Sequence, residues 1–460
     1  MPLQLRPDST IELSIFEQSP TLRDIYTQLC FCYPIADGVS VTAIAETLKR
    51  GLERLTASFP WLAGQVITEG ASKGSSGVFK ISPFGKIPHL VVKNLMNDDL
   101  APKMDALREA NFPFSMLEEN VICPRMTLAG GLGETSSDPS PVLLLQANFI
   151  TGGLLLTIVA SHSAMDIVGQ VQMIYLLSKA CRNEPFTDEE VMNGNLDRRN
   201  LIPLLDDRCQ PDHKSVSQVE KPAPSKSTSG DHLPSPTTSS LSWAYFTFKP
   251  ASLAVLKAVA TSSITVPSTF ISTDDALCAL IWQSVVRARL ARLDPATDSV
   301  FKRAVDMRRY LNISKEFPGN MSTKTTNSST LQKVIDQSLG DVASQLRSVL
   351  DPEIMKYNMI ANATAQIRTR DKSVNSPVDR TKCIVMSSWS KVDCYEFDFN
   401  LGLGRPESVR RPQFSPVESV VYLLPKALDG EIVAGLCLRD DDMEKLKVDK
   451  EFMKYGQYIG

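Results

Sequence analysis

The chain has 460 residues, 43% of them hydrophobic and 22% charged, with a formal net charge of -3. That is a globular composition, long enough for two ordinary domains, and it lacks the positive field that holds a polyanion, so nucleic acid is not an expected partner. Nine cysteines stand at scattered positions without a CxxC pair, which in a chain this large reads as reduced thiols of a cytoplasmic protein and excludes a disulfide framework. The opening MPLQLRPDSTIELSIFEQSP interrupts any signal-like apolar core, and no later stretch offers about 18 uninterrupted apolar residues, so no membrane span is expected.

Val41, Ile44, Leu48, Leu52 and Leu55 recur at steps of three or four, which predicts one apolar helix face that Pro60 ends. Trp61, Leu62 and Ala63 then lead through Gly64 into a strand. Two apolar runs, PVLLLQANFI and GLLLTIVAS, meet around Thr151-Gly152-Gly153 and predict a hairpin or two buried neighbouring strands. After His162 the period becomes helical, with Ile167, Val168, Val171, Ile174, Leu177 and Ala180 on one stripe. Residues 206–240, dense in Pro, Ser, Lys and Thr, read as a flexible crossover linker between an N-terminal domain (1–205) and a C-terminal domain (241–460). The second half predicts a strand at SWAYFTF and a helix capped by Ser272 with acids in its first turn. It then predicts late strands at VVYLLPK and EIVAGLCLR and one closing helix over DDMEKLKVDKEFMKYG. Helices alternating with strands in two halves predict a two-domain α/β (α+β) protein.

His162-Ser163-Ala164-Met165-Asp166 falls where the strand GLLLTIVAS hands over to a helix, and the fold holds side chains rigidly at such junctions. Imidazole, with an unperturbed pKa of about 6.5, is mostly neutral at pH 7 and suits removal of a proton from an attacking hydroxyl. By itself the spacing His-x-x-x-Asp is common. A structural histidine followed by an acid that suits the helix dipole accounts for it equally well. His89, His162, His213 and His232 show no ligand spacing, so no metal is expected.

Longer segments carry more information. DIYTQLCFCYP, GLERLTASFPWLAGQV, ASHSAMDIVGQ, STDDALCALIW, RAVDMRR and SSWSKVDCYEFDFNLGLGRPESVRRP resemble, end to end, the BAHD-type acyltransferase superfamily in its fungal trichothecene 3-O-acetyltransferase-like branch. The resemblance implies two similar-sized domains of related chloramphenicol-acetyltransferase-like topology, with a channel between them. It implies acetyl-CoA as co-substrate with no permanently bound cofactor, a small polycyclic alcohol as acceptor, and a cytoplasmic monomer. On the same grounds His162 is the general base, and Asp166 is a structural residue turned away to pair with an arginine, for which Arg308 is the candidate. The family's DFGWG signature corresponds to Asp398-Phe399-Asn400-Leu401-Gly402, followed by Gly404 and Arg405. Leu401 and Asn400 depart from it, and Asn is the side chain that best tolerates the left-handed turn after Gly.

The resemblance also suggests acyl-CoA contacts at Ser387, Ser388, Trp389 and Arg405. A buried strand with Trp389 in the core explains SSWS as readily, and Arg410 and Arg411 are expected to face water. A trichothecene-like sesquiterpenoid is the favoured acceptor, ahead of a polycyclic alkaloid or polyketide alcohol. A condensation domain is disfavoured by Ser161, where such domains carry a second His. A catalytically impaired metabolite-binding protein on the same scaffold stays open through Asn400.

Overall fold

The computed structural model describes residues 10–36, 38–72, 77–128, 138–205, 240–265, 270–368 and 379–460. The expected linker 206–240 thus lies outside the described residues except for Ser240. Strands of the first half are β1 (Ile11–Glu12), β2 (Tyr26–Pro34), β3 (Gly64–Glu69), β4 (Val78–Pro83), β5 (His89–Asn94), β6 (Leu143–Ile150) and β7 (Gly153–Ser161). Those of the second are β8 (Leu241–Phe248), β9 (Asp298–Asp306), β10 (Ser322–Thr330), β11 (Cys383–Ser388), β12 (Ser408–Arg410), β13 (Val420–Leu423), β14 (Ile432–Arg439) and β15 (Gln457–Tyr458).

The periodic segment forms the helix Val41–Ser58, capped by Ser40, whose side chain accepts from Ala43 N at 3.2 Å. Ile44, Leu48, Leu52 and Leu55 are buried along it, and Pro60 starts the tight turn Pro60–Ala63 that feeds β3. The two apolar runs pair as an antiparallel hairpin, β6 with β7, and every residue of both strands is buried. Ser272 caps the helix Thr273–Arg289 with Asp275 as its reciprocal partner. The closing helix is two pieces, Asp440–Lys447 and Lys450–Met453. Asp449 leaves the first and caps the second, its Oδ1 accepting from Phe452 N at 2.8 Å while its Oδ2 accepts from Arg287 Nε at 2.7 Å.

A five-stranded sheet runs β12-β2-β7-β6-β5, a seven-stranded sheet β10-β9-β11-β13-β14-β8-β15, and a small sheet β1-β4-β3. β12 belongs to the second half yet pairs antiparallel with β2 of the first, so the C-terminal chain completes the N-terminal sheet. Side chains alternate across the seven-stranded sheet. Phe301, Ile384, Met386, Val421 and Leu423 pack on one face with Trp282 of the helix Thr273–Arg289. Trp243, Tyr245, Val433 and Cys437 on the other face join the core of the first half. Phe114 stacks on Trp243 with ring centroids 4.9 Å apart across that junction. Arg410 and Arg411 are buried here, contrary to the water-facing expectation. Arg411 lies 4.3 Å from the Phe414 ring centroid and 4.7 Å from that of Tyr422, and an arginine face stacked on aromatics needs no water. Among the described residues, no helix is long and apolar enough to cross a membrane.

Candidate active site

β7 lies between β2 and β6 with hydrogen bonds on both sides, so its C-terminal end is a fixed platform. His162 is the next residue, and its N–H is held by the Ile25 carbonyl at 2.9 Å. The chain then turns, and Asp166 caps the helix Ile167–Cys181 by accepting from Gly169 N at 2.9 Å. The same carboxylate accepts from Arg308 Nη2 at 2.9 Å, Arg308 Nη1 at 3.0 Å and Met321 N at 2.8 Å. Four donors fill its four lone-pair directions, leaving none for the imidazole. Arg308 is equally committed: its remaining donors reach the Phe317 and Gly319 carbonyls and Asp306. Both side chains are almost wholly buried, at 4% and 2% exposure. The expected Asp166–Arg308 pair is therefore present and bidentate, and it ties the histidine turn of the first half to the 306–321 segment of the second.

Gly169 makes this junction possible. A Cβ there would lie 1.8 Å from the Pro318 carbonyl oxygen, so only glycine lets the first turn of the helix touch that segment. Gly169→Ala is expected to push the 317–321 segment off the helix and cost about 1–3 kcal/mol as overpacking. Lower thermal stability together with lower turnover is the expected result, and wild-type values for both would refute the close contact.

His162 itself is half-buried, unlike its neighbours Ser161, Ser163 and Ala164. Burial pulls its pKa below the ordinary 6.5. The Asp166 charge and hydrogen bonds to the carbonyls of His162 and Met165 oppose that shift without reversing it, and Lys324 adds to the lowering. Asn320 lies alongside, its Nδ2 donating to the His162 carbonyl at 3.0 Å and standing 3.5 Å from Nδ1. Its Oδ1 accepts from Ser322 N and Oγ at 3.1 and 2.7 Å, which fixes the amide orientation.

A second buried pair supports the motif from below. Glu17 hydrogen-bonds Arg198 and accepts from Asn320 N at 3.0 Å, while Arg198 donates to the Ala164 carbonyl at 2.6 Å and lies over Trp61 at 4.6 Å. Burial raises the Glu17 carboxyl despite the adjacent guanidinium. Sequence reasoning passed over Glu17, Arg198 and Asn320, because nothing in their spacing distinguishes them from surface residues and each reaches the site from a distant segment.

The Transferase family model matches residues 131–453, and the trichothecene 3-O-acetyltransferase-like N-terminal domain matches residues 25–181. This chain belongs to the BAHD-type transferase family. An O-acetyltransferase of Cryptosporiopsis sp. is 48% identical over 97% of this chain and 97% of its own. The trichothecene 3-O-acetyltransferase of Fusarium sporotrichioides is also 48% identical, over 98% of this chain and 97% of its own. The crystal structure of the latter with coenzyme A and T-2 superimposes with a TM-score of 0.90 at 46% identity, covering 98% of this chain and all of that one. The protein is accordingly a two-domain BAHD-type enzyme, a CoA-dependent O-acyltransferase with acyl-CoA as co-substrate.

In this BAHD-type acyltransferase the remaining predicted residues separate. Ser387 is half-buried, and its Oγ accepts from Trp389 Nε1 at 3.0 Å. Ser388 turns the other way and donates to Asp274 at 2.6 Å, and Trp389 is 3% exposed, packed in the core against Tyr422. The strand-and-core reading thus describes Ser388 and Trp389. Arg405 sits at the surface in an ion pair with Glu396. The Asp398 loop is tied by its carbonyl to Arg182, at the far end of the 15-residue helix that Asp166 starts. That places it about 20 Å from His162. The loop keeps its turn through Asn400 at φ 54°, Gly402 at 74° and Gly404 at 68°, and Asp398 Oδ1 accepts from Asn400 N at 2.8 Å. Asparagine adopts the left-handed conformation the departure from DFGWG requires.

Proposed function

We propose that this acyltransferase is a cytoplasmic monomer that moves an acetyl group from acetyl-CoA to a hydroxyl of a rigid polycyclic secondary metabolite, with His162 as general base and a trichothecene-like sesquiterpenoid as first candidate. The supporting observation is the half-buried, neutral imidazole at a strand end, beside an aspartate whose lone pairs are all taken by Arg308 and the main chain. Its likeness to the Fusarium enzyme crystallised with coenzyme A and T-2 supports the acceptor class.

In this reading the hydroxyl proton passes to the His162 imidazole as the oxygen attacks the thioester carbonyl. The tetrahedral oxyanion collapses, the C–S bond breaks, and the imidazolium returns the proton to the departing thiolate. No enzyme nucleophile takes part, and Ser163 is fully buried beneath the turn. Asp166 and Arg308 act as positioning residues, holding the turn that aims the ring.

Incubation with acetyl-CoA and a panel of polycyclic alcohols, read by thiol release and product mass, tests the reaction; no acetylated product from any alcohol would defeat it. Because burial favours the neutral ring, kcat/KM is expected to be flat at neutral pH and to fall in acid along a single-proton limb centred below 6.5. A limb centred above that value would mean that another group titrates.

A further inference from the structure

Asn320 is a polar side chain buried to 1% exposure that the proton transfers above leave without a task. Its main chain is pinned over three consecutive residues. The Gly319 carbonyl accepts from Arg308 Nη2 at 2.6 Å, Asn320 N donates to Glu17 Oε1 at 3.0 Å, and Met321 N donates to Asp166 Oδ2 at 2.8 Å. The side chain is pinned as well. Ser322 N, which can only donate, selects the amide oxygen at 3.1 Å, and Ser322 Oγ joins it at 2.7 Å, so the oxygen end is spent and the NH2 end turns to the histidine. There Nδ2 donates to the His162 carbonyl at 3.0 Å and stands 3.5 Å from ring Nδ1.

We propose that Asn320 is a positioning residue for the general base: its amide braces the imidazole along the Nδ1 edge and disfavours the charged ring, which keeps His162 ready to accept the hydroxyl proton. An imidazolium carries a proton on both nitrogens, and an amide nitrogen accepts from neither. Charging the ring therefore sets two donors against each other at the Nδ1 edge, whichever nitrogen took the proton. A carboxylate in the same place would do the opposite and hold the cation. The charged groups around this turn do not supply the missing acceptor. Asp166 has its lone pairs taken by Arg308 and the main chain, Glu17 is paired with Arg198, and Lys324 on β10 opposes the cation.

The inference rests on the proposed role of His162, yet its first readout is the ring itself. Histidine isotopically labelled at Cε1 reports each ring's titration by NMR, and with four histidines in the chain the His162 signal is identified by its loss in His162→Gln. Asn320→Asp puts an acceptor beside Nδ1 in nearly the same volume, so the His162 pKa is expected to rise by about one pH unit or more, carrying the acid limb of kcat/KM upward with it. Asn320→Ala removes the brace without adding a charge, and decides the matter alone if the aspartate variant does not fold. Its kcat is expected to fall roughly tenfold to a hundredfold, as for a misaimed base, with KM for acetyl-CoA little changed. Its ring pKa should rise less than in the aspartate variant, because water then solvates the cation. Variants that lose stability while the His162 pKa and the acid limb stay in place would make Asn320 a support of the backbone only and overturn the proposal. So would a wild-type kcat in Asn320→Ala. A ring pKa that follows residue 320 in an enzyme whose turnover survives His162→Ala would defeat the general base and leave the brace standing.

Discussion

His162→Ala is expected to lower turnover by about 10² to 10⁴, the usual cost of losing a positioned general base. The fold should survive, because the ring is half-buried and belongs to no hydrophobic core cluster, while the turn around it is held by Ile25, Ser161, Arg198 and the Asp166 cap. Stopped-assay thiol release with acetyl-CoA and a competent acceptor measures the loss, and circular dichroism checks the fold. Full activity in the variant would remove His162 from the chemistry. His162→Gln offers a stricter comparison: it keeps a side chain of similar reach without a basic nitrogen, so its activity should be as low as that of the alanine variant.

Arg308→Met is expected to be the most destabilising single change at the site, by about 3–5 kcal/mol, because it strands the Asp166 carboxylate in the interior. The cost is not the worth of the pair itself, since a well-packed apolar replacement of both partners is often neutral. Adding Asp166→Asn should therefore recover part of the stability, as asparagine still caps the helix at Gly169 without a charge to orphan. Urea unfolding of the two single variants and the double variant gives the coupling directly. Additive losses would show that the bidentate geometry carries no shared energy. An Asp166→Asn protein of wild-type stability but without activity would instead argue that the carboxylate acts on the reaction.

The two predictions differ in how far the sequence anticipates them. His162 and Asp166 stand four residues apart on one strand-to-helix junction, so their proximity is local and the apolar runs on either side announce it. The helix Val41–Ser58, the β6–β7 hairpin and the Ser272 cap are legible for the same reason: period, cap chemistry and turn residues lie within a few positions of one another. Family resemblance adds Arg308, which no local rule selects.

What lies beyond is long-range. Asn320, Glu17 and Arg198 converge on the histidine turn from three segments, and 303 residues separate Glu17 from Asn320. β12 crosses into the sheet of the other half and brings Arg410 to within 5.9 Å of the Phe112 ring centroid, while Arg411 is covered by Phe414 and Tyr422 of its own half. Sequence alone determined the strand, the helix and the histidine between them, because backbone hydrogen bonding and side-chain period are properties of neighbours. Tertiary packing decided which carboxylate meets which guanidinium and which way the imidazole pKa moves. Each of those depends on the desolvation and distance of groups far apart in the chain.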